Sequence, residues 1–267
     1  MIRHIQLPEA VIYETEHPDR GDDFMLHLKE VQLLSDEYPT KDSYPFNIDV
    51  LQQTRNLIFT SAVTFFVGEN GSGKSTLLEA LARRCHIHIW SGEERTRSVV
   101  NHYEDTLFLY MEVEWTNGTV PGSFFSSQIF RNFAQLLDIW EADNPGQIDY
   151  FGGKSLMTQS HGQSLMSFFR ARYKIKGLYL LDESETALSP KSQLDLLHLL
   201  QEMSRLGHAQ FIVATHSPIL LACPGSVIYS FDQIPVKAIH YEETEHYQIY
   251  EDFMRDPCKF LKESVYD

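Results

Sequence analysis

Residues 63–82 read VTFFVGENGSGKSTLLEALA: an apolar run, a glycine-rich turn, and then leucines and alanines at helical spacing. The pattern predicts a strand, a loop and a helix in succession. The loop satisfies the P-loop motif G-x-x-x-x-G-K-[ST], and its expected nucleotide contacts are Gly68, Asn70, Gly71, Ser72, Gly73, Lys74, Ser75 and Thr76. Glycines let backbone N–H groups turn inward around a phosphate chain, at the positive end of the following helix dipole. We therefore expect a nucleoside triphosphate here, with Lys74 on its β- and γ-phosphates and Ser75 on a magnesium ion.

Two adjacent acidic residues close a second apolar run, GLYLLDE at 177–183. Asp182 ends the run, where its carboxylate can join Ser75 around magnesium, and Glu183 can polarise an attacking water. The adjacent acids therefore have different predicted roles, Asp182 as a metal ligand and Glu183 as a catalytic residue. Lys74 counts with the catalytic residues too, because it contacts the phosphate that is transferred.

Strands and helices alternate in the second half of the chain. After GLYLLDE comes SPKSQLDLLHLLQEMSRLG, a predicted helix capped by Ser189 with Pro190 in its first turn. QFIVATHS predicts another buried strand, and the tail offers the strands VIYSF and VKAIHY before a helix from about Glu245. This alternation predicts an α/β fold with a mainly parallel sheet flanked by helices.

The remainder of the chain is less regular. Residues 1–47 form a polar appendage punctuated by prolines, in which the alternating stretch MLHLKEVQLL predicts an edge strand. TLFLYMEVEW at 106–115 predicts a strand, and FFSSQIFRNFAQLLDIWEA at 124–142 predicts an amphipathic helix. The apolar face of that helix is expected to contain Phe124, Phe125, Phe130 and Phe133. We expect a single domain over 1–267 with an inserted arm at about 90–155.

Two polar segments lie at defined positions around these strands. QSHGQS, residues 159–164, places Ser160 22 residues before Asp182, and ATHS places His216 at the end of the next strand. A hydroxyl and a backbone N–H at a helix start can donate hydrogen bonds to the open face of a phosphoryl group. Considered alone, QSHGQ would be a polar helix cap and His216 a surface or core histidine.

The set GENGSGKST, QSHGQ, LLDESETALSP and ATHSP resembles the SMC and SbcC-like branch of the ABC-type ATPases, and in particular small stand-alone members without the long coiled coil. The likeness extends to YPFNI, to the arm pattern FF-x-x-Q-x-F-x-N-x-A and to YEETEHY, and it covers most of the chain from about Val31. It implies the P-loop NTPase fold of ABC ATPase type, with an antiparallel β portion and a helical arm. It also implies ATP and Mg²⁺ as cofactors.

By this resemblance the protein would form a homodimer with two ATP molecules between its chains. Ser160, Gly162 and Gln163 of one chain would contact the γ-phosphate of the nucleotide bound to the other. His216 would contact the same phosphate and sense hydrolysis. Gln128 would contact magnesium and the attacking water from the arm, and the alternative for Gln128 is an exposed position on a helix surface.

The resemblance assigns two further pairs of residues. Ala187 and Ser189 would lie in the loop that crosses the dimer seam. Tyr44 and Phe46 precede the P-loop, in a region where an aromatic ring could stack on adenine.

The composition limits the class of protein. Of 267 residues 37 are acidic and 22 basic, which gives a formal net charge of -15. This charge repels nucleic acid at long range and argues against a protein that coats DNA electrostatically. Cys85, Cys223 and Cys258 form no C-x-x-C pair, so we expect reduced thiols rather than a disulfide framework or a zinc ribbon. We find no signal peptide and no run of about 18 apolar residues, and therefore expect a cytoplasmic protein without a membrane segment of its own.

Three functions fit these motifs. The first is a stand-alone ATPase, the motor or switch of a DNA-related, defence or repair system, with a protein effector or a nucleic acid as partner. A basic patch for nucleic acid could form from Arg83, Arg84, Arg95 and Arg97. The second is the nucleotide-binding subunit of a membrane transporter, with a permease as partner. The third is a nucleotide-controlled switch that turns over slowly and regulates an effector.

Overall fold

The structure, a computed structural model, describes residues 26–89 and 101–261. Its strands are β1 (Leu28–Leu33), β2 (Asn56–Ile58), β3 (Val63–Val67), β4 (Met111–Trp115), β5 (Gly122–Ser126), β6 (Gly177–Asp182), β7 (Ala209–Ala214), β8 (Val227–Ser230) and β9 (Lys237–Ile239). Its α-helices are α1 (Asp49–Gln53), α2 (Lys74–Arg84), α3 (Ser127–Asp143), α4 (His161–Arg172), α5 (Pro190–Arg205), α6 (Pro218–Leu221) and α7 (Glu245–Arg255).

The larger sheet has the order β5-β6-β7-β3-β8-β9. All of its neighbouring pairs are parallel except β8 and β9, which are antiparallel at one edge. Its central strands read VTFFV, GLYLLD and AQFIVA and are buried almost throughout, because helices and a second sheet cover both faces. The predicted α/β fold with a mainly parallel sheet is therefore confirmed.

The smaller sheet is antiparallel and has the order β2-β1-β4. The prediction that MLHLKEVQLL forms an edge strand in an appendage is wrong, because β1 lies in the middle of this sheet. Val31 and Leu33 are buried on one face, as alternation requires, and Leu28 is buried as well because the register shifts between Leu28 and Glu30. That pattern indicates which face is buried but not which strands are neighbours, and β4 comes from a distant part of the chain.

Two apolar cores lie on opposite faces of the larger sheet. Successive side chains of one strand enter different cores, as Phe65 and Phe66 of β3 do. One core lies under α3, α4 and α5, and the other lies between the two sheets and encloses α2. The P-loop helix is therefore held inside the molecule with Leu77, Leu78 and Leu81 buried.

Phe124 and Phe125 are not on a helix, which corrects the prediction for this segment. They belong to β5, which pairs in parallel with β6, and their side chains enter opposite cores. The amphipathic helix begins only at Ser127. Part of the predicted arm at about 90–155 is thus a strand of the main sheet. In TLFLYMEVEW only Met111–Trp115 is a strand, and the preceding residues form a 3-10 turn.

The helix ends of the second half agree with the sequence. The Ser189 hydroxyl accepts a hydrogen bond from the Ser192 N–H at the start of α5, with Pro190 at the first helical position. α7 begins at Glu245 as predicted, and the Thr244 hydroxyl caps it by accepting from the Tyr247 N–H.

Among the described helices, none has the length and apolar character needed to cross a membrane.

The fully buried side chain of Gln210 links the two sheets through three hydrogen bonds. Gln210 of β7 accepts hydrogen bonds on Oε1 from the backbone N–H groups of His27, at 2.9 Å, and Leu28, at 2.8 Å. Its Nε2 donates to the Leu28 carbonyl at 2.9 Å. Gln210 is fully buried, so no solvent can replace these bonds.

We expect Gln210→Leu to lower the free energy of unfolding by about 3 kcal/mol, because it leaves two buried N–H groups and one carbonyl without partners. Urea unfolding measures the change. Gln248→Leu is the matched control, since Gln248 is an exposed residue of α7. Equal effects of the two substitutions would show that Gln210 does not join the sheets.

Candidate functional site

Three loops meet at one edge of the larger sheet. The P-loop follows β3, Glu183 directly follows β6, and His216 lies two residues beyond the end of β7. β7 is the parallel neighbour of both β3 and β6. The β6–β7 register pairs Asp182 with Ala214, so the loops begin at the same level. Ligands in open α/β sheets bind at the carboxyl ends of the strands. The sequence placed these residues in separate motifs, and the parallel register brings them together.

Positive backbone φ angles give the P-loop its shape. Gly68, Gly71 and Gly73 have φ values of 151°, 82° and 102°, which side-chain-bearing residues rarely adopt. A Cβ at Gly68 would also lie 2.9 Å from Asp232 Oδ1. That same oxygen accepts a 2.7 Å hydrogen bond from the Glu69 N–H. Asp232 thus fixes the start of the loop. No local sequence pattern indicated this role, because Asp232 follows β8, far along the chain.

Lys74 is buried at the beginning of α2, with 4% of its surface exposed. Its ammonium donates hydrogen bonds to the carbonyls of Gly68, at 2.7 Å, and Glu69, at 2.8 Å. Burial lowers the pKa of Lys74, while the surrounding carboxylates, Asp232 first among them, act in the opposite direction. The ammonium therefore lies over the loop, where phosphate oxygens could replace the two carbonyls. The Ser72 hydroxyl of the same loop is buried without a hydrogen-bond partner among the described residues.

Ser75 and Asp182 are joined directly. The Ser75 hydroxyl donates to Asp182 Oδ1 at 2.9 Å. Burial raises the pKa of Asp182 to about 6, and the hydrogen bond from Ser75 partly opposes that shift. A hydroxyl and a carboxylate are the protein ligands that magnesium takes in nucleotide sites, the remainder being water and phosphate oxygens. The described residues hold no cluster of three or more His, Cys, Asp or Glu side chains suited to a metal. Ser75 and Asp182 fit Mg²⁺ accompanied by phosphates, and not an ion held by protein alone.

Glu183 and His216 face each other across the cleft. Glu183 has a φ of 47°, and its N–H donates to the Ala214 carbonyl at 3.0 Å. Its Oε1 is 3.8 Å from His216 Nε2. Burial, reinforced by the nearby Lys74, lowers the pKa of His216, so the imidazole is neutral near pH 7. The buried Glu185 accepts a 2.7 Å hydrogen bond from the His216 N–H and fixes the backbone there.

His246 of α7 is a site residue that the sequence analysis missed. Its Nε2 lies 2.9 Å from His216 Nδ1, and a neutral imidazole carries only one N–H. If His246 donates this bond, the N–H of His216 is on Nε2 and points toward Glu183. Attraction to that carboxylate favours this tautomer. His216 Nε2 has no hydrogen-bond partner among the described residues, and it is available to an anionic ligand.

The residues of this edge line an open cleft of about 550 Å³. Its walls come from the P-loop, from the ends of β6 and β7, and from α7; the lining residues are Glu69, Asn70, Gly71, Glu183, His216, Glu245, His246, Ile249 and Tyr250. The cleft is thus large enough for a phosphate chain, and α7 forms one side of it.

The segment QSHGQS, residues 159–164, which we call the signature segment, lies apart from the P-loop cleft. Ser160 caps α4, and its N–H donates to Gln163 Oε1 at 3.3 Å in a capping box. Gly162 lies beside the Ala187 carbonyl and lines a second cleft of about 370 Å³. Among the described residues the two clefts have none in common. Ser160, Gly162 and Gln163 are therefore not brought to the P-loop of their own chain.

The remaining predicted residues are placed as follows. Gln128 is in the first turn of α3, directly after β5, and its side chain lies outside the described part of the structure, as does that of His161. The Thr76 hydroxyl and the exposed Tyr44 hydroxyl are 3.1 Å apart, so Tyr44 adjoins the P-loop helix. Phe46 is fully buried, and as an adenine-stacking candidate it is excluded.

The predicted basic patch is only partly described. Arg83 donates to Asp105 at 2.9 Å, which neutralises part of its charge, and Arg95 and Arg97 lie outside the described residues.

Several known proteins are similar to this chain in sequence or in fold. The family model "AAA domain, putative AbiEii toxin, Type IV TA system" matches residues 129–222. The solved "SMC head domain from Thermotoga maritima" is 16% identical, with 80% of this chain and 99% of that one covered and a TM-score of 0.43. A structure described as an inward-facing conformation of a "putative metal-chelate type ABC transporter" is 16% identical, with 84% and 88% covered and a TM-score of 0.50. The cbiO1 protein from Clostridium perfringens, part of the ABC transporter complex cbiONQ, is 18% identical, with 88% and 97% covered and a TM-score of 0.46. No curated protein matches the chain significantly.

The chain therefore has the fold of the ABC-type P-loop ATPases, which the resemblance implied. The region that matches the family model contains the signature segment, Asp182, Glu183 and His216.

The raised pKa of Asp182 has a measurable consequence in the metal-free protein. A raised carboxyl pKa contributes stability that is present below the unfolded value, near 3.8, and is lost as the pH rises through about 6. We expect Asp182→Asn to raise the free energy of unfolding by about 2 kcal/mol at pH 8 in a chelating buffer, and by little at pH 4.

Urea unfolding at the two pH values measures this difference. Asp36→Asn is the control, because the hydrogen bond from Arg55 lowers the pKa of the exposed Asp36 and its loss should not stabilise the protein. A constant effect of Asp182→Asn from pH 4 to pH 8 would contradict the burial of charge at this position.

Proposed function

We propose that the chain binds MgATP at the P-loop cleft and hydrolyses it in the cytoplasm, as a homodimer that completes each site with residues of the other chain. The observation that carries this proposal is the 2.9 Å contact between the Ser75 hydroxyl and Asp182, at the foot of the loop that holds Lys74. A hydroxyl, a carboxylate and an ammonium at these positions provide for the cation and for the phosphates of one nucleotide.

The residues around the cleft supply the other parts of the reaction. Glu183 would orient and deprotonate the attacking water, and His216 Nε2 would donate to the γ-phosphate. Bound magnesium would neutralise charge that develops on the phosphate oxygens. Lys74 would leave the carbonyls of Gly68 and Glu69 for the phosphates, and Gln128 would approach the same ion from α3. Tyr44, beside Thr76, is the aromatic residue placed for adenine.

The separation of the two clefts supports a shared site. The P-loop cleft is open to solvent, and its described lining does not include Ser160, Gly162 or Gln163. A two-fold dimer would bring Ser160 and Gly162 of one chain to the P-loop of the other, and both sites would be completed at once. Gln163 would act mainly by holding Ser160 in its capping conformation.

For the biological role we favour a switch or motor in a DNA-related, defence or repair system. The family model that matches residues 129–222 is described by the words "putative AbiEii toxin" and "Type IV TA system". The alternative is a nucleotide-binding subunit that a membrane permease recruits.

We expect Glu183→Gln to keep nucleotide affinity and to lower turnover at least about 100-fold, because it removes the base but not the phosphate contacts. The uncleaved nucleotide should hold two chains together. Light scattering with and without MgATP measures the assembly, and phosphate release measures turnover. Glu202→Gln on α5 is the control, and normal turnover of Glu183→Gln would mean that the water is activated elsewhere.

A mixing experiment tests whether sites are shared. Lys74→Ala should lose nucleotide binding, and Ser160→Ala should bind nucleotide but not hydrolyse it, because each removes a charged or hydroxyl donor to the phosphates. Mixed in equal amounts, the two inactive variants should recover about a quarter of the normal rate, since half of the dimers would contain one intact site. No recovery, with both variants folded, would place each complete site within one chain.

A further inference from the structure

One face of α7 is apolar and open to solvent. None of the α7 side chains is buried, and Ile249, Tyr250 and Phe253 are 49%, 56% and 42% exposed. With Glu245 they lie on the same side of the helix, because their positions follow its 3.6-residue period. We call these four residues the α7 face. Exposed apolar surface of this kind, bordered by charged residues, marks a site of protein contact.

The α7 face borders the nucleotide cleft. Glu245, Ile249 and Tyr250 line it together with Gly71 of the P-loop and Glu183. A molecule that closes over a nucleotide in this cleft must therefore pass along α7. The α7 face is therefore continuous with the P-loop surface through which the proposed dimer would form.

The charges of the two segments involved are complementary. The chain around α7, residues 242–256, carries one basic residue, Arg255, and six acidic ones, Glu242, Glu243, Glu245, Glu251, Asp252 and Asp256. Of the acidic residues, Glu245 belongs to the α7 face, whereas Glu251 lies on the opposite side of the helix and pairs with Arg255. The signature segment and the helix that follows it, residues 154–176, carry no acidic residue and five basic ones, Lys154, Arg170, Arg172, Lys174 and Lys176.

Two of these basic residues lie beside the signature segment. Lys154 and Arg170 line the signature cleft with Gly162, and Asp195 is the acidic residue of that lining. We call Lys154 and Arg170 the basic rim. The basic rim thus lies beside the residues expected to reach across to the other chain, and the α7 face lies beside the P-loop that would receive them.

We propose that the α7 face of one chain docks on the basic rim of a second copy of this chain, and that this contact closes over the bound nucleotide. Two-fold symmetry makes the contact twice per dimer, so opposite charges meet at both ends of the interface. The inference rests on the proposed function, because it uses the same nucleotide-bound dimer and adds a second contact surface to it.

The docking would also affect the orientation of His216 beside the bound nucleotide. α7 carries His246, which is 2.9 Å from His216 Nδ1. A partner seated on α7 holds this helix against the cleft, and His246 then keeps the N–H of His216 directed at the phosphate. The contact therefore links closure of the dimer to the orientation of a residue at the reacting end of the nucleotide.

The test is a charge-exchange experiment in the Glu183→Gln background, where MgATP should hold the dimer. Glu245→Lys and Arg170→Glu should each weaken dimerisation at least about 10-fold, and the two together should return it to within about 3-fold of the parent. Tyr250→Glu, at an exposed position, should weaken it without a compensating partner. Glu251→Lys is the matched control, since Glu251 lies on the opposite side of α7 and pairs with Arg255. Analytical ultracentrifugation gives the dimer dissociation constant, and a fluorescent ATP analogue confirms that each monomer binds nucleotide normally.

The outcomes separate the two proposals. If the parent Glu183→Gln protein binds MgATP and stays monomeric, the dimer of the proposed function fails, and the docking fails with it. If the parent dimerises and the variants match it, or the double variant is not restored, the docking of α7 is overturned while the shared site remains. If Arg170→Glu abolishes binding of a 20-base-pair DNA duplex and leaves dimerisation unchanged, the basic rim serves nucleic acid instead.

Discussion

The Ser75 hydroxyl reaches the Asp182 carboxylate because β3 and β6 flank β7 in one parallel sheet and end at the same level. Everything that we assign to the cleft depends on this alignment. It sets a cation position beside Lys74 and leaves Glu183 one residue further on. A buried carboxylate is unfavourable without a counter-ion, and for this reason burial raises the pKa of Asp182. A magnesium ion would relieve it, so the folded chain is arranged in advance for the ion and its phosphates.

The layers of the molecule keep this alignment rigid. α2 is enclosed between the two sheets, and its N-terminus can move little relative to β6. Gln210 contributes by hydrogen-bonding the strand that begins the smaller sheet to the centre of the larger one. Asp232 holds the P-loop backbone from the far side. Gln210 and Asp232 come from parts of the chain distant from the loop, and neither belongs to the P-loop motif.

One side of the cleft is formed by α7, and this side explains how the site could respond to a partner. His216 joins the end of β7 to His246 of α7 through one hydrogen bond. The Thr244 hydroxyl caps the N-terminus of α7, and the apolar α7 face is open to solvent. A second chain that covers this face would act on the nucleotide through the two histidines.

The sequence by itself determined the local elements and the chemistry of the motifs. Glycine spacing, the apolar strands that end in Asp182 and His216, and the caps of α5 and α7 are short-range features, and local sterics and hydrogen bonding fix them. Tertiary structure alone decided which strands are neighbours. It placed β1 in the middle of a sheet, put Phe124 and Phe125 in β5, buried Phe46, and brought Asp232 and His246 to the cleft. Pairing between distant strands depends on how the whole core packs, and a local pattern of apolar and polar residues therefore does not predict which strands pair.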